Sequence, residues 1–230
     1  IRTTVFLKGC PLHCLWCHNP EGIAFSPDLM VRSSRCAKCY ACIPACPRKA
    51  ISKGPATLSR DFNARPSAAE NDPRTKPGAP TADGPVVIDR AKCDLCGKCA
   101  EVCMYEALVM AGREATVAEV VAEVEKDRIF YDQSGGGATL SGGEPLSQLR
   151  FTTSLLAELK DRKIHTALDT SGFAPWESLR KAAGLADLVL YDLKMVDPDK
   201  HAAYTGVANR TILENLRKLA ATGKPIAAPW

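Results

Sequence analysis

Every cysteine in this chain belongs to one of three short groups: Cys10, Cys14 and Cys17; Cys36, Cys39, Cys42 and Cys46; and Cys93, Cys96, Cys99 and Cys103. The total of 11 is odd, and within each group neighbours lie at most four residues apart. That crowding suits metal centres better than a disulfide framework. The fold must therefore order three thiolate loops, two with four donors and one with only three. A three-thiolate site leaves a coordination position open for chemistry.

At 230 residues and 46% hydrophobic composition the chain can bury a real core. No apolar run reaches the roughly 18 residues that span a bilayer, and the start at Ile1 carries neither a charged n-region nor an apolar h-region. The expectation is a soluble, cytoplasmic protein with no membrane partner, whose own start lies before Ile1. The formal charge of +4 ignores ionised thiolates. Cluster cores held by these thiolates would contribute about five negative charges and bring the holoprotein near neutrality, so no nucleic-acid partner follows from the charge.

The β-branched run Thr3 to Leu7 reads as a strand that ends at Gly9 and the first cysteine group. From Cys36 to Val109 the pattern is cysteine, proline and short apolar pieces, interrupted by Lys53 to Pro85. That stretch has only Leu58 and Phe62 as large apolar residues, too few to order it, and reads as a flexible excursion between two half-motifs. After Gly112 the period is regular. Thr116 and Glu119 form a capping-box pattern before Val117, Val120, Val121 and Val124, predicting a helix over Thr116 to Asp127. A strand at Ala138 to Ser141, a helix through Phe151, Leu155 and Leu159, and a strand at His165 to Asp169 follow. Pro175 suits a first helical turn and Gly184 its end, and Asp187 to Asp192 reads as a fully buried strand. Thr211 and Glu214 repeat the capping box for a helix whose face is Leu213, Leu216 and Leu219 and which stops at Gly223; Lys224 to Trp230 opens another strand.

Alternating strands and helices imply an α/β fold with a parallel sheet, open or closed. Unusual polar residues decide between these. Cys10 follows the first strand, Gly142, Gly143 and Glu144 the second, Asp169 and Thr170 end the third, and Asp192 ends the fourth. Functional groups at successive carboxyl ends mark the active face of a barrel, and the expected fold is a partial β/α barrel. The domain reading is a first strand and cysteine loop over 1–31, an insertion over 32–109 with 53–85 as its linker, and the remaining barrel over 110–230.

The two four-cysteine groups share the spacing C-x2-C-x2-C-x3-C, the ferredoxin-type pattern in which the fourth cysteine serves the other cluster. Cys36, Cys39, Cys42 and Cys103 are therefore assigned to one 4Fe-4S centre, and Cys93, Cys96, Cys99 and Cys46 to a second. A pair of zinc knuckles is the competing reading, since C-x2-C also suits tetrahedral zinc. Taken alone, Cys10, Cys14 and Cys17 also admit zinc completed by His13 or His18. The sequence SGGEPL from Ser141 places two glycines where a backbone can approach a ligand and Glu144 beside them, although an ordinary turn would read the same way. Asp192 and Lys194 read either as a solvated pair or as part of a site, and a carboxylate closing an apolar strand is costly unless it serves one.

Together these features resemble the radical S-adenosylmethionine (SAM) superfamily, and more closely the activating enzymes of glycyl radical enzymes. The resemblance rests on IRTTVFLKGCPLHCLWCHNPEG from Ile1, SGGGATLSGGEPL from Ser134, ALDTSGF from Ala167 and YDLKMVDPDKHAAYTGVAN from Tyr191. It covers most of the chain outside Lys53 to Pro85. The cysteine-rich insertion is similar to that of the subgroup with two auxiliary clusters.

The resemblance implies a TIM-like (β/α)6 radical SAM barrel, here partial, with an inserted ferredoxin-like module and three 4Fe-4S clusters in all. Cys10, Cys14 and Cys17 would hold the cluster whose fourth iron chelates SAM. Gly142, Gly143 and Glu144 would orient the methionyl amine, Asp169, Asp192 and Lys194 would lie near its carboxylate, and the two aspartates would share a monovalent cation. Trp16 would pack near the cofactor, against plain core packing as the alternative. The implied partners are a glycyl radical enzyme and an electron donor such as flavodoxin or ferredoxin, with the chain itself a monomer. Two rival readings remain: a radical SAM enzyme acting on a small molecule or peptide, and a non-enzymatic electron carrier, which would leave the three-thiolate loop unexplained. On the family plan four strands and the start of a fifth are present, so the chain is expected to be truncated at both ends and inactive on its own.

Overall fold

The computed structural model describes residues 1–55 and 83–228. These form two compact units, one of Ile1–Ser26 with Gly112–Trp230 and the other of Pro27–Ala111. The chain opens with strand β1 (Arg2–Leu7) of the first unit. Its Thr3 hydroxyl meets Asp127 and the Tyr131 hydroxyl on the helical side, and Val5 packs on the core there. Arg2 turns to the other face and donates to the Thr139 hydroxyl at 2.9 Å. That is the period-2 alternation of a strand.

The second unit runs through β2 (Asp28–Val31), α1 (Cys42–Ala45), β3 (Ile51–Pro55), β4 (Asp83–Ile88), α2 (Lys98–Glu101) and β5 (Leu108–Ala111). β2 pairs antiparallel with β5, Asp28 opposite Ala111 and Val31 opposite Leu108. This pairing draws Pro27 to Val31 and Met110 to Ala111 into the unit. β3 pairs antiparallel with β4. Lys53 to Pro55 and Asp83 to Pro85, expected in a structureless excursion, are thus ladder residues, and the rest of that expectation falls on 56–82, outside the described residues. Leu29, Ile51, Val86 and Leu108 pack with Cys42 and Cys99 into a small core.

The first unit resumes with α3 (Val117–Glu125). The Glu119 N–H donates to the Thr116 hydroxyl at 3.3 Å and the Thr116 N–H to the Glu119 carboxylate at 2.7 Å, which completes the capping box. A separate helix α4 (Arg128–Ser134) follows, and then β6 (Gly137–Gly142), α5 (Leu149–Asp161), β7 (His165–Thr170), α6 (Trp176–Leu185), β8 (Leu188–Tyr191), α7 (Pro198–Thr205), α8 (Arg210–Ala220) and β9 (Ile226–Ala227). The sheet order is β1-β6-β7-β8-β9, with every neighbouring pair parallel. Leu140, Leu168 and Val189 of the strands meet Leu155, Leu159, Leu179 and Ile212 of the helices in one core.

Several local expectations give way. Pro175 is the N-cap of α6 rather than a residue of its first turn, and Gly184 lies inside that helix. β8 alternates between partly and fully buried residues, because its other face looks away from the helices. α8 starts at Arg210 behind Asn209, and Glu214 pairs with Arg210 at 2.8 Å instead of closing a capping box with Thr211. Its buried face centres on Ile212, Asn215 and Leu219 rather than on Leu213. Asn215 explains its own burial, since its amide donates to the carbonyls of Gly172 at 2.9 Å and Ala174 at 2.8 Å. No described helix is long and apolar enough to cross a membrane.

Candidate active site and metal centres

The loop after β1 is held at both sides by main-chain bonds. The Gly9 N–H donates to Gly22 O at 2.8 Å and the Cys10 N–H to Ile23 O at 2.9 Å. On the opposite side the N–H groups of His13 and Leu15 donate to Thr205 O and Tyr204 O, the last carbonyls of α7, at 2.8 and 2.9 Å. These are carbonyls that a helix end leaves without intrahelical partners. Gly9 adopts φ +94°, where a side chain would also run into the Phe25 ring. The three cysteines of the loop are thereby presented together.

Cys10, Cys14, Cys17 and Trp16 line one side of a cavity of about 360 Å³, within the range of small-molecule sites. Gly142, Gly143, Asp169, Asp192 and Lys194 line the remainder, at the carboxyl ends of β6, β7 and β8. Trp16 is 42% exposed and tilts against Tyr204 with ring centroids 6.1 Å apart, so it is part of the cavity wall and the core-packing reading fails. His18 joins the lining, whereas His13 is exposed and does not.

The two glycines serve a closer approach than that of a ligand. A Cβ on Gly143 would stand 2.5 Å from Gly9 O and 2.6 Å from Gly22 O, and one on Gly142, at φ +115°, 2.3 Å from the Leu7 backbone. They let β6 close against the cysteine loop, where the Gly143 N–H donates to Leu7 O at 2.7 Å and the Glu144 N–H to Gly9 O at 2.8 Å.

Glu144 faces the protein interior. Its side chain is 1% exposed and absent from the cavity wall. One carboxylate oxygen accepts from the Thr170 hydroxyl at 2.7 Å and the Leu146 N–H at 3.1 Å, the other from the Ser171 hydroxyl at 2.7 Å and the Ser171 N–H at 2.9 Å. With its acceptor sites taken inside the protein, Glu144 ties the end of β7 to the turn after β6. Burial pushes its pKa above the ordinary carboxylate range, and the hydroxyls of Ser171 and Thr170 oppose that. Thr170 and Ser171 themselves line the cavity, as does Ser141. Ser141 and Ser171 were not singled out as site residues by the sequence, although ALDTSGF contains the latter.

The Ser141 hydroxyl donates to Asp169 at 2.6 Å, and Lys194 is ion-paired with Asp192. Burial, and then the charge of Asp192, raise the Asp169 carboxyl above its usual range. Burial works against the Lys194 ammonium, but the bond to Asp192 together with the charges of Asp192, Cys14 and Asp169 outweighs it and keeps the ammonium charged. Two carboxylates thus share one ammonium, which leaves room for a further cation or an ammonium group on a ligand. Burial also pushes the Cys10 thiol up to about 11 and the Cys14 thiol upward, so these become thiolates only when metal replaces their protons.

In the second unit one cavity is lined by Cys36, Cys39, Cys42 and Cys103, and another by Cys46, Cys93, Cys96 and Cys99. The fourth cysteine of each run thus stands with the first three of the other. Among the described residues no three His, Cys, Asp or Glu side chains are grouped as for a single ion. Burial raises the Cys42 thiol to about 11 and lifts Cys99 as well.

The model of the radical SAM superfamily matches residues 98–228, and two 4Fe-4S binding domain models match 29–52 and 85–108. The chain is 42% identical over 225 residues to the isethionate sulfite-lyase activating enzyme of Nitratidesulfovibrio vulgaris, which covers 96% of this chain and 64% of that protein. It is 41% identical to the trans-4-hydroxy-L-proline dehydratase activating enzyme of Clostridioides difficile, over 98% of this chain and 66% of that protein. With the choline trimethylamine-lyase activating enzyme of Oleidesulfovibrio alaskensis it shares 39% identity, over 94% of this chain and 62% of that protein. The chain spans less than two thirds of the length of these relatives. Its parallel sheet, its three-cysteine loop after β1 and the family match over more than half its length agree: the chain belongs to the radical SAM superfamily.

Proposed function

We propose that this protein is the activating enzyme of a glycyl radical enzyme, acting through three 4Fe-4S clusters and SAM. The observation that carries the reading is the single cavity that gathers Cys10, Cys14 and Cys17 with Asp169, Asp192 and Lys194. Three thiolates beside charged strand ends suit a cluster with one iron left for the amino and carboxylate groups of SAM, and a fourth cysteine would close that position. When bound, such a cluster supplies the electron that splits the SAM sulfonium into methionine and a 5′-deoxyadenosyl radical, which removes a hydrogen atom from a glycine of the partner.

The chain's own residues bind and orient. Lys194 offers a charge-assisted bond to the methionyl carboxylate. Asp169 and Asp192 supply the negative charge that suits a monovalent cation or the methionyl ammonium. Main-chain groups of Gly142 and Gly143 border the same space, and Trp16 gives it an aromatic wall. Glu144 acts through Thr170 and Ser171, as a positioning residue rather than a ligand. The cavities of the second unit suit two auxiliary clusters, each ligated across both cysteine runs, that pass electrons received from a carrier such as flavodoxin or ferredoxin.

The test is electron paramagnetic resonance after mixing the full-length, reconstituted, reduced protein with SAM and each of several glycyl radical enzymes under anaerobic conditions. A glycyl signal is expected with one partner and not with the others. Formation of 5′-deoxyadenosine with no glycyl signal from any of them would move the substrate elsewhere. Retention of SAM cleavage by Cys17→Ala would displace the active centre from this loop.

A further inference from the structure

Among the described residues one buried side-chain nitrogen or oxygen has no hydrogen-bond partner, Nε2 of His201. His201 is fully buried in the middle of α7 and does not line the cavity. A buried nitrogen left unpaired costs stability, so a histidine at this position needs an explanation. It lies at the other ring nitrogen. Nδ1 stands 2.8 Å from Val207 O and 3.0 Å from the hydroxyl oxygen of Thr205, and that hydroxyl donates to His201 O at 2.8 Å. A carbonyl oxygen only accepts, so Nδ1 carries the ring proton and shares it between the two oxygens.

This bond spans Gly206, whose φ of +81° ends the helix, and ties the chain beyond α7 back to the helix itself. A helix of eight residues has little stability of its own. Where its last carbonyls point therefore depends on such locks. Those carbonyls hold the cysteine loop: Thr205 O and Tyr204 O accept the N–H groups of His13 and Leu15 at 2.8 and 2.9 Å, and the two bonds flank Cys14, itself buried. The Tyr204 ring, on the same turn, tilts against Trp16 of the cavity wall. The base of the α7 stretch is fixed as well, because the Asn209 amide donates to Met195 O at 3.1 Å and Val196 O at 2.7 Å, directly after Lys194.

From this we infer that His201 is a positioning residue for the active centre. Its Nδ1–H sets the turn from Thr205 to Val207, and the carbonyls of Tyr204 and Thr205 pass that setting to Cys14 and Trp16. The inference rests on the reading of Cys10, Cys14 and Cys17 as ligands of a SAM-binding cluster. Two substitutions separate the Nδ1 bond from plain packing. Asn carries an N–H on the atom attached to Cγ, where Nδ1 sits, but leaves part of the ring's space empty. Gln fills more of that space and carries its N–H one bond further, at the reach of Nε2. A packing role favours Gln, and a bond from Nδ1 favours Asn.

Full-length His201→Asn and His201→Gln are reconstituted anaerobically beside wild type. Iron release to a chelator, the change in the electron paramagnetic resonance spectrum of the reduced protein on adding SAM, and SAM cleavage are then followed. His201→Gln is expected to slow cleavage at saturating SAM by about tenfold or more, with His201→Asn within about threefold of wild type. About four of the roughly 12 irons should leave His201→Gln faster than wild type, and the other eight or so at the wild-type rate. The spectral change on adding SAM should be altered in His201→Gln and retained in His201→Asn. Equal losses in the two variants, a smaller loss with Gln than with Asn, or no loss with Gln would each overturn the inference. Faster release of iron from all three centres would do the same, since it reports general loosening rather than a link to one loop. If wild type shows neither SAM cleavage nor a spectral change with SAM, the reading of the site fails, and the order of iron release among the three proteins still judges the link.

Discussion

The Glu144 carboxylate accepts from both the main-chain N–H of Ser171, at 2.9 Å, and the Ser171 hydroxyl, at 2.7 Å. The same residue's main-chain N–H donates to Gly9 O at 2.8 Å. One residue therefore joins the cysteine loop after β1, the turn after β6 and the turn after β7. The arrangement of the cavity depends on a side chain that never enters it.

Ser171→Ala tests this link through pH. Burial raises the folded pKa of Glu144 above its ordinary value of 4.5. The stability this group contributes is therefore complete below that value and is lost as pH rises through the folded one. Removing a donor penalises the ionised form more than the protonated one. Ser171→Ala should cost about 1–3 kcal/mol, with the larger loss at the alkaline end. Urea unfolding of wild type and variant at pH 5.5 and 8.5 measures it, and an equal loss at both would show that Glu144 does not change charge between them.

Glycine substitutions should separate by sign. Gly143→Ala drives a methyl against two carbonyl oxygens at 2.5 and 2.6 Å, both of them backbone that cannot rotate away. A cost of about 1–3 kcal/mol is expected. Gly184 lies in α6, and a methyl group there would meet no heavy atom within 4 Å. Gly184→Ala should stabilise by about 0.5–1 kcal/mol. Chemical denaturation of both variants checks the pair, and destabilisation by Gly184→Ala would contradict the helix assignment.

How far the sequence was legible depends on the span of each interaction. Thr116 and Glu119 are three residues apart, and their capping box forms as read. Thr211 and Glu214 have the same spacing, but Arg210 offers Glu214 a nearer charged partner and the helix begins earlier. α7 went unread although Asp197 caps it, accepting the Lys200 N–H at 2.8 Å, with Pro198 at its first position. The pairing of Asp28 with Ala111 spans most of the second unit and left no local pattern. The burial of Glu144 was not legible, because motif adjacency does not show which way a side chain points. Its two hydroxyl donors lie 26 and 27 residues further on. The cysteines lining the three cavities were legible because metal-ligand spacing is itself local, and the strand-end residues Asp169 and Asp192 because each strand of a parallel sheet ends on the same side.

The crossing of ligands between the two cysteine runs is expected to show in iron content. Cys36→Ala with Cys103→Ala strikes one cavity, whereas Cys36→Ala with Cys46→Ala strikes both. From about 12 irons per reconstituted chain, the first pair should leave about 8 and the second about 4. Anaerobic reconstitution with iron and sulfide analysis distinguishes the two. The reverse order would mean that each run holds its own cluster.

Lys194→Met should separate binding from cluster assembly. The ammonium lies at the cavity wall beside Asp192 and is held charged by it, although burial alone would favour its neutral form. Met keeps much of the length and removes the charge, which leaves Asp169 and Asp192 facing the cavity without a counterion. A charged hydrogen bond contributes about 1.5–3 kcal/mol, so SAM binding should weaken roughly 10- to 150-fold. Iron content should remain at about 12 per chain, because Lys194 is no cluster ligand. Raising the concentration of a monovalent cation should recover part of the affinity by replacing the lost positive charge. Isothermal titration of SAM into the anaerobic holoprotein measures the affinities and an iron assay the cluster content, and an unchanged dissociation constant at full iron content would remove Lys194 from the binding site.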